Sequence, residues 1–143
     1  WAASPISGPV ASVGWVEEGI KNSLKTIPKE KIPVAIPFYA RLWKEEIVDN
    51  KIKVTSKSIP IRNIEELLNK YEATYSWDSE SGQNYSEFTK DDYTYKMWIE
   101  DRDSLLLKLK LIEKYDIAGS AAWRKGYEEE TIWEIIDSYE EDE

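Results

Sequence analysis

The sequence predicts an α/β protein carrying a smaller α+β region inside it, and three observations support that prediction. Two short apolar runs, Pro33-Val-Ala-Ile-Pro-Phe-Tyr-Ala-Arg41 (with Trp43 just beyond) and Ile117-Ala-Gly-Ser-Ala-Ala-Trp123, each follow a helix-like stretch and finish on aromatic residues. Both are too apolar and too small-sided for a solvated sheet edge, so each reads as a strand buried on both faces, as in parallel βα units. Between Trp43 and Trp98 the texture changes to aromatic residues alternating with polar ones, which predicts an antiparallel sheet with one wet face. The chain holds too few βα units to close a barrel. In such architectures ligands bind at the carboxyl ends of the strands, so a binding surface floored by Tyr39, Arg41 and Trp123 is expected.

The elements follow in order. Trp1–Pro9 is a loop rich in Ser, Pro, Ala and Gly. Ser12–Thr26 reads as an amphipathic helix with Val13, Val16, Ile20 and Leu24 on one stripe, ended by Pro28. The strand at Pro33–Arg41 comes next. Lys51–Val54 is a short polar strand, and Asn63 with Glu66 resembles a cap for a helix presenting Ile64, Leu67, Leu68 and Tyr71. Ala73–Trp77, Asn84–Phe88 and Tyr93–Ile99 form a small meander. A connection with its own helix and sheet is an inserted subdomain rather than a loop. Asp101 or Asp103 caps a helix running to about Tyr115, built on Leu105, Leu106, Leu109 and Ile112. After the strand Ile117–Trp123, Gly126 supplies a turn and Thr131–Tyr139 a closing helix with Ile132, Trp133 and Ile136 inward. The acidic tail Glu140–Glu143 is expected to fray. This divides the chain into a first segment over 1–43, an α+β insertion over 44–100 and a second segment over 101–143.

Composition narrows the function. The 143 residues suffice for one domain with a real core, and the formal charge is −9, from 19 Lys+Arg against 28 Asp+Glu. An acidic surface repels phosphate backbones, so nucleic acid is not expected as a partner. No run approaches the roughly 20 apolar residues of a membrane span, and no basic amphipathic segment suggests a membrane-surface helix. Cysteine and histidine are both absent, which removes the thiol nucleophile, the commonest metal ligands and the commonest general base. No cofactor or metal is expected. Seven Trp and nine Tyr against two Phe supply apolar faces with hydrogen-bonding edges, suited to sugars and to protein interfaces.

Pro37-Phe-Tyr-Ala-Arg41 is similar to the P-x-Y-G-R segment that ends the seventh strand of family 18 glycoside hydrolases. Trp98-Ile-Glu-Asp-Arg-Asp-Ser104, Lys108 and Ile117–Trp123 resemble the segment leading through that family's last long helix into its eighth strand. Ser7-Gly-Pro-Val-Ala-Ser12 with Trp15-Val-Glu17 resembles the loop and helix after the sixth strand, and the bacterial spore-germination and cell-wall branch is the most similar in flavour. The resemblance implies the carboxyl-terminal part of a (β/α)8 TIM barrel, about strands seven and eight with flanking helices, carrying an α+β insertion. It also implies cleavage of β-1,4 links beside an N-acetylated sugar in chitin or peptidoglycan by a substrate-assisted retaining mechanism. In that mechanism the Glu of a D-x-x-D-x-D-x-E motif protonates the leaving oxygen and the substrate's acetamido oxygen attacks the anomeric carbon. No such motif occurs in the sequence; Glu100 with Asp101, and Asp78 with Glu80, read as helix cap and solvated turn. The acid is expected upstream of Trp1 in a longer parent.

By resemblance, Tyr39 and Arg41 face the sugar cleft and Trp123 floors it, with Ala40 in place of the usual Gly. Strand parity agrees, setting Pro37, Tyr39 and Arg41 on one side and Phe38 and Ala40 on the other. Trp43, Trp77 and Trp98 are candidates for extending the cleft wall. The expected ligand is an N-acetylated glycan, the expected location extracellular or associated with a bacterial cell wall or spore, and a homodimer is expected to cover the open strand edges. The competing reading is a non-catalytic carbohydrate-binding or interaction module derived from the same fold.

Overall fold

The computed structural model describes residues 4–141 and folds them into two sheets backed by helices. In chain order these are α1 (Val13–Ser23), β1 (Pro33–Pro37), β2 (Tyr39–Val48), β3 (Lys51–Pro60), α2 (Ile64–Lys70), β4 (Tyr75–Asp78), β5 (Gln83–Lys90), β6 (Tyr93–Ile99), α3 (Arg102–Tyr115), β7 (Gly119–Trp123) and α4 (Glu130–Glu141). β1 and β7 pair in parallel, from Pro33 opposite Gly119 to Pro37 opposite Trp123. The other five strands are antiparallel in the order β3-β2-β6-β5-β4. This is the mixed α/β fold expected, a partial barrel with an α+β insertion. The first three residues of the opening loop and the last two of the acidic tail lie outside the described residues.

The parallel pair packs on its helices. Ser12 caps α1 by accepting from the Trp15 amide, and Val16 and Ile20 are buried beneath it. They join Val34 and Ile36 of β1, Leu105 and Leu109 of α3, and Ile132 and Ile135 of α4 in one apolar core. Asp101 caps α3 in a reciprocal box with Ser104, so the first of the two proposed aspartates does the capping. Two expectations change here. In α4 Ile132 and Ile135 are buried and Ile136 packs against the same core, as expected, while Trp133 is 39% exposed with its ring nearly perpendicular to that of Phe38, the centres 5.8 Å apart. β7 is not buried on both faces: Ser120 through Trp123 are exposed. Among the described residues β7 has β1 as its one neighbouring strand, with helices against one side of the pair.

The run Pro33–Arg41 is not one strand either. The chain bends at Phe38, and Tyr39 starts β2 in the antiparallel sheet. Phe38 is fully buried; its N–H donates to the Trp123 carbonyl at 2.7 Å and its carbonyl accepts from the Ile61 N–H at 3.1 Å. One residue thus terminates the parallel pair and opens the insertion. β2 runs on to Val48 and pairs along its length with β3, so the insertion has five strands where the sequence pattern showed the polar piece of one and the three of the meander. Asp49 and Asn50 both take positive φ, 51° and 59°, the two-residue turn that matches strand twist. Asp91 and Asp92 do the same between β5 and β6.

Register assigns the faces. Ala40, Leu42, Ile59, Met97 and Ile99 are buried with Ile64 and Leu68 of α2. Tyr39, Arg41, Trp43 and Glu45 lie on the opposite face with Lys96, Trp98 and Tyr85. Asn63 makes no capping bond; the three-residue turn Ile61–Asn63 leads into α2 instead.

The insertion is tied to α3 by a buried polar joint. Lys108 and Glu100 are 0% and 1% exposed, and the ammonium donates to both carboxylate oxygens at 2.8 Å. Ser104 Oγ donates to Glu100 Oε2 at 3.1 Å and Gln83 Nε2 of β5 to Oε1 at 2.7 Å. Burial pushes the Glu100 carboxyl above the usual carboxylate range, against the pull of the Lys108 charge.

Candidate functional site

Tyr39, Arg41 and Trp123 meet in one cleft of about 200 Å³. It opens where the carboxyl ends of β1 and β7 lie side by side, Pro37 opposite Trp123. Val10, Ala11, Ala35, Ile36 and Pro37 form its apolar base, and Trp15 of α1 joins the rim. Trp123 and Trp15 are 66% and 58% exposed. The Trp123–Arg124 peptide bond is cis.

Arg41 is held by neutral groups. Its Nε donates to Ser56 Oγ at 2.9 Å and Nη1 to Ser58 Oγ at 3.4 Å, both on β3, and its Cζ lies 5.7 Å from the Trp43 ring centre. Those contacts fix the plane of the fork without neutralising it. The neighbouring cation on that face, Lys96, is paired with Glu45 at 2.9 Å. Burial works to raise the Glu45 carboxyl, but the Ser7 hydroxyl and Lys96 together hold it below its ordinary value.

The other expected wall residues lie elsewhere. Trp43 is 3% exposed, and its indole N–H donates to the Gly8 carbonyl at 2.7 Å. It therefore anchors the loop that delivers Val10 and Ala11 to the cleft and does not itself line it. Trp98 shares the face of Arg41 but is tilted against Tyr85 at 4.8 Å and donates to Asp78 Oδ2 at 3.2 Å. Trp77 points to the opposite face on β4, at the sheet edge, and is 45% exposed. Neither lines the cleft.

Trp15 was not among the residues expected there. Its signal was present: it falls off the stripe of Val13, Val16, Ile20 and Leu24, so a helix placed on that stripe turns it outward. A larger hollow of about 380 Å³ lies among α2, the end of β6 and the start of α4. Glu100 at its wall is consumed by Lys108, Ser104 and Gln83, and no indole lines it. The smaller cleft has the chemistry of a binding surface: flat apolar faces, a phenol and a fixed donor fork.

Comparison with known proteins places this geometry. The sequence model of the glycosyl hydrolases of family 18 matches residues 2–128. The uncharacterized glycosylase YvbX of Bacillus subtilis is 28% identical over 130 residues, 90% of this chain and 36% of that protein. The chain thus spans about a third of the length of the curated relatives it matches. The structure of the Bacillus cereus spore cortex-lytic enzyme SleL superposes with a TM-score of 0.82 at 20% identity, over 97% of this chain and 32% of that one. A Cycas revoluta family 18 chitinase in complex with (GlcNAc)3 gives 0.71 at 18% identity, over 99% and 43%. At these identities the structural likenesses speak to the fold.

Proposed function

The chain belongs to the glycosyl hydrolases of family 18, and from that premise we propose that it forms the sugar-cleft portion of a glycosidase acting on β-1,4-linked N-acetylglucosamine glycans. The observation that carries this is the grouping of Trp123, Tyr39, Arg41 and Trp15 around one cleft at the carboxyl ends of two parallel strands. An indole face takes the C–H face of a pyranose by apolar contact while the sugar's hydroxyls reach the polar rim. In this reading the Tyr39 hydroxyl and the Arg41 fork, both lining the same cleft, receive them. The chitinase complex with (GlcNAc)3 and the spore cortex-lytic relative support an N-acetylated glycan as the ligand class. A cell-wall or spore-associated location outside the cytoplasm goes with such a substrate.

The chemical step belongs to the whole enzyme. The D-x-x-D-x-D-x-E motif is missing from these 143 residues, so this chain orients the sugar and excludes water from one side. Protonation of the glycosidic oxygen, and attack by the substrate's own acetamido oxygen, need the acid supplied elsewhere in the parent. The same absence supports a second reading, a sugar-binding module without activity of its own. By itself the chain is expected to bind N-acetylglucosamine oligosaccharides without cleaving them. Its exposed β7 flank is expected to be covered by a second copy, read as a dimer in light scattering.

The test is titration with chito-oligosaccharides followed by NMR shifts, beside the Trp123→Ala variant. Loss of the stacking face is expected to weaken binding about tenfold or more. The fold should survive, since Trp123 is 66% exposed at a strand end. Binding unchanged in that variant, or hydrolysis by the chain alone, would overturn the proposal.

A further inference from the structure

We propose that Arg41 makes the cleft select a glycan whose hexosamine carries a carboxylate substituent over a neutral one; this rests on the sugar-cleft reading above. The chain is strongly acidic, with 28 Asp+Glu against 19 Lys+Arg. Yet among the described residues lining the cleft none is acidic, and Arg41 supplies the charge. Arg41 thus gives the lining of this cleft a positive charge on an otherwise acidic chain, and a positive lining attracts anions.

The arginine is also prepared for an anion. Ser56 occupies Nε, Ser58 occupies one side of Nη1, and the Trp43 ring supports the guanidinium. These partners are neutral, so its attraction for an incoming carboxylate is not already spent on an acid of the protein. Among the described residues nothing accepts from Nη2. The Nη2 amino group is thus left to reach an incoming carboxylate, a charge-assisted bond that the guanidinium is suited to make. Lys96, the alternative anion receptor on this face, is consumed by Glu45. A sugar hydroxyl could accept from the same edge, but a bond to a charged acceptor is worth more, enough for about a tenfold preference. Ser56 and Ser58 act through Arg41 as positioning residues.

The experiment uses the full chain at low ionic strength and two disaccharides of N-acetylhexosamine. One bears an O-lactyl carboxylate on its ring, and the other is its methyl ester, alike in shape but uncharged. The acid is expected to bind about tenfold more tightly than the ester, with the difference shrinking in high salt. Arg41→Gln is expected to bring the two within about twofold, by a large loss for the acid and a smaller one for the ester, which gives up only a hydroxyl contact with the fork. Arg41→Lys, which keeps charge but loses the fork, should retain part of the preference. The Ser56→Ala/Ser58→Ala double variant should lower the acid-to-ester ratio without changing ester binding, which a purely structural role would not do. Equal binding of the two disaccharides, or a preference that survives Arg41→Gln, overturns the inference and leaves the sugar-cleft reading standing. Failure of both to bind removes that reading and this inference with it. Should Arg41→Gln not fold, the ratios in the lysine and serine variants decide the matter.

Discussion

Replacing Lys108 by Met takes the cation out of an enclosed pair while keeping most of its stem. Lys108 is 0% and Glu100 1% exposed, so solvent cannot replace the ammonium. The carboxylate would lose two contacts of 2.8 Å and retain Ser104 at 3.1 Å and Gln83 at 2.7 Å. Breaking a buried pair by removing one partner costs about 3–5 kcal/mol, because the remaining charge is uncompensated. With a urea m-value of about 2 kcal/mol/M, that is a midpoint lower by about 2 M, followed through tryptophan fluorescence.

The pH dependence checks the cause. Burial already raises the Glu100 carboxyl, and Lys108 is the main force opposing it. Without Lys108 the folded-state value rises further, so the folded protein binds a proton that the unfolded chain releases. Stability of the variant must then fall as pH rises through the ordinary carboxylate range, and its deficit must shrink toward acid. Adding Glu100→Gln removes the stranded charge and should recover most of the loss, a coupling of about 2 kcal/mol or more. A single variant within about 1 kcal/mol of the parent at neutral pH, or a deficit indifferent to pH, would refute the assignment of this pair as the joint between insertion and α3.

Two further outcomes test the frame around the cleft. Glu17 accepts from Lys114 at 2.6 Å and Tyr115 at 2.7 Å, linking α1 to α3, and these bonds hold its carboxyl down at about 2. A depressed folded value gives stability that is present above the unfolded carboxylate range and is lost as pH falls toward 2. Glu17→Gln should therefore flatten the acid limb of a thermal-melt series. Gly82 sits at φ 68°, and a Cβ there would lie 2.7 Å from Val13 Cγ1. Gly82→Ala is expected to cost about 1–3 kcal/mol in urea unfolding, and a neutral substitution would show that the β4–β5 turn does not press on α1.

What the sequence made legible was set by short-range chemistry. The α1 stripe, the Asp101 cap, the tight turns and the alternation in β4–β6 depend on neighbours a few residues away, and each can be read from spacing. Tyr39, Arg41 and Trp123 were legible through their motifs together with strand parity. Parity survives the bend at Phe38: Phe38 and Ala40 are fully buried, and the residues between and beyond them reach the cleft. The length of β2 was not legible, because Lys44-Glu-Glu-Ile-Val48 reads as polar chain until β3 is known to lie beside it. Nor was the burial of Lys108, which looks like any lysine on an amphipathic helix. Its fate depends on Glu100 and Gln83, which meet it only when β5, β6 and α3 converge. Trp43 was misplaced for a related reason: an indole that bonds a distant carbonyl is indistinguishable in sequence from one that faces a sugar.

The cleft straddles a corner, and under the sugar-cleft proposal that corner acquires a role. Trp123 and Pro37 hang from the parallel pair, whereas Tyr39, Arg41 and the serines that orient it hang from the antiparallel sheet. In the reading proposed above, a saccharide touching both groups would sense the angle between the two sheets, and several contacts hold that angle, among them Val13 to Ser81, Arg62 to Tyr127 and Trp43 to Gly8. Phe38 fixes it from within, bonded to Trp123 on one side and Ile61 on the other, with the Trp133 edge against its ring. The Glu100–Lys108 joint fixes it from behind, joining the end of β6 to α3. Positioning a ligand to within a fraction of an ångström requires such rigid supports. A buried ion pair contributes little net stability, so its expected value here is directional, fixing where the end of β6 sits against α3. Disturbing it should therefore weaken saccharide binding even where no atom of the sugar comes near.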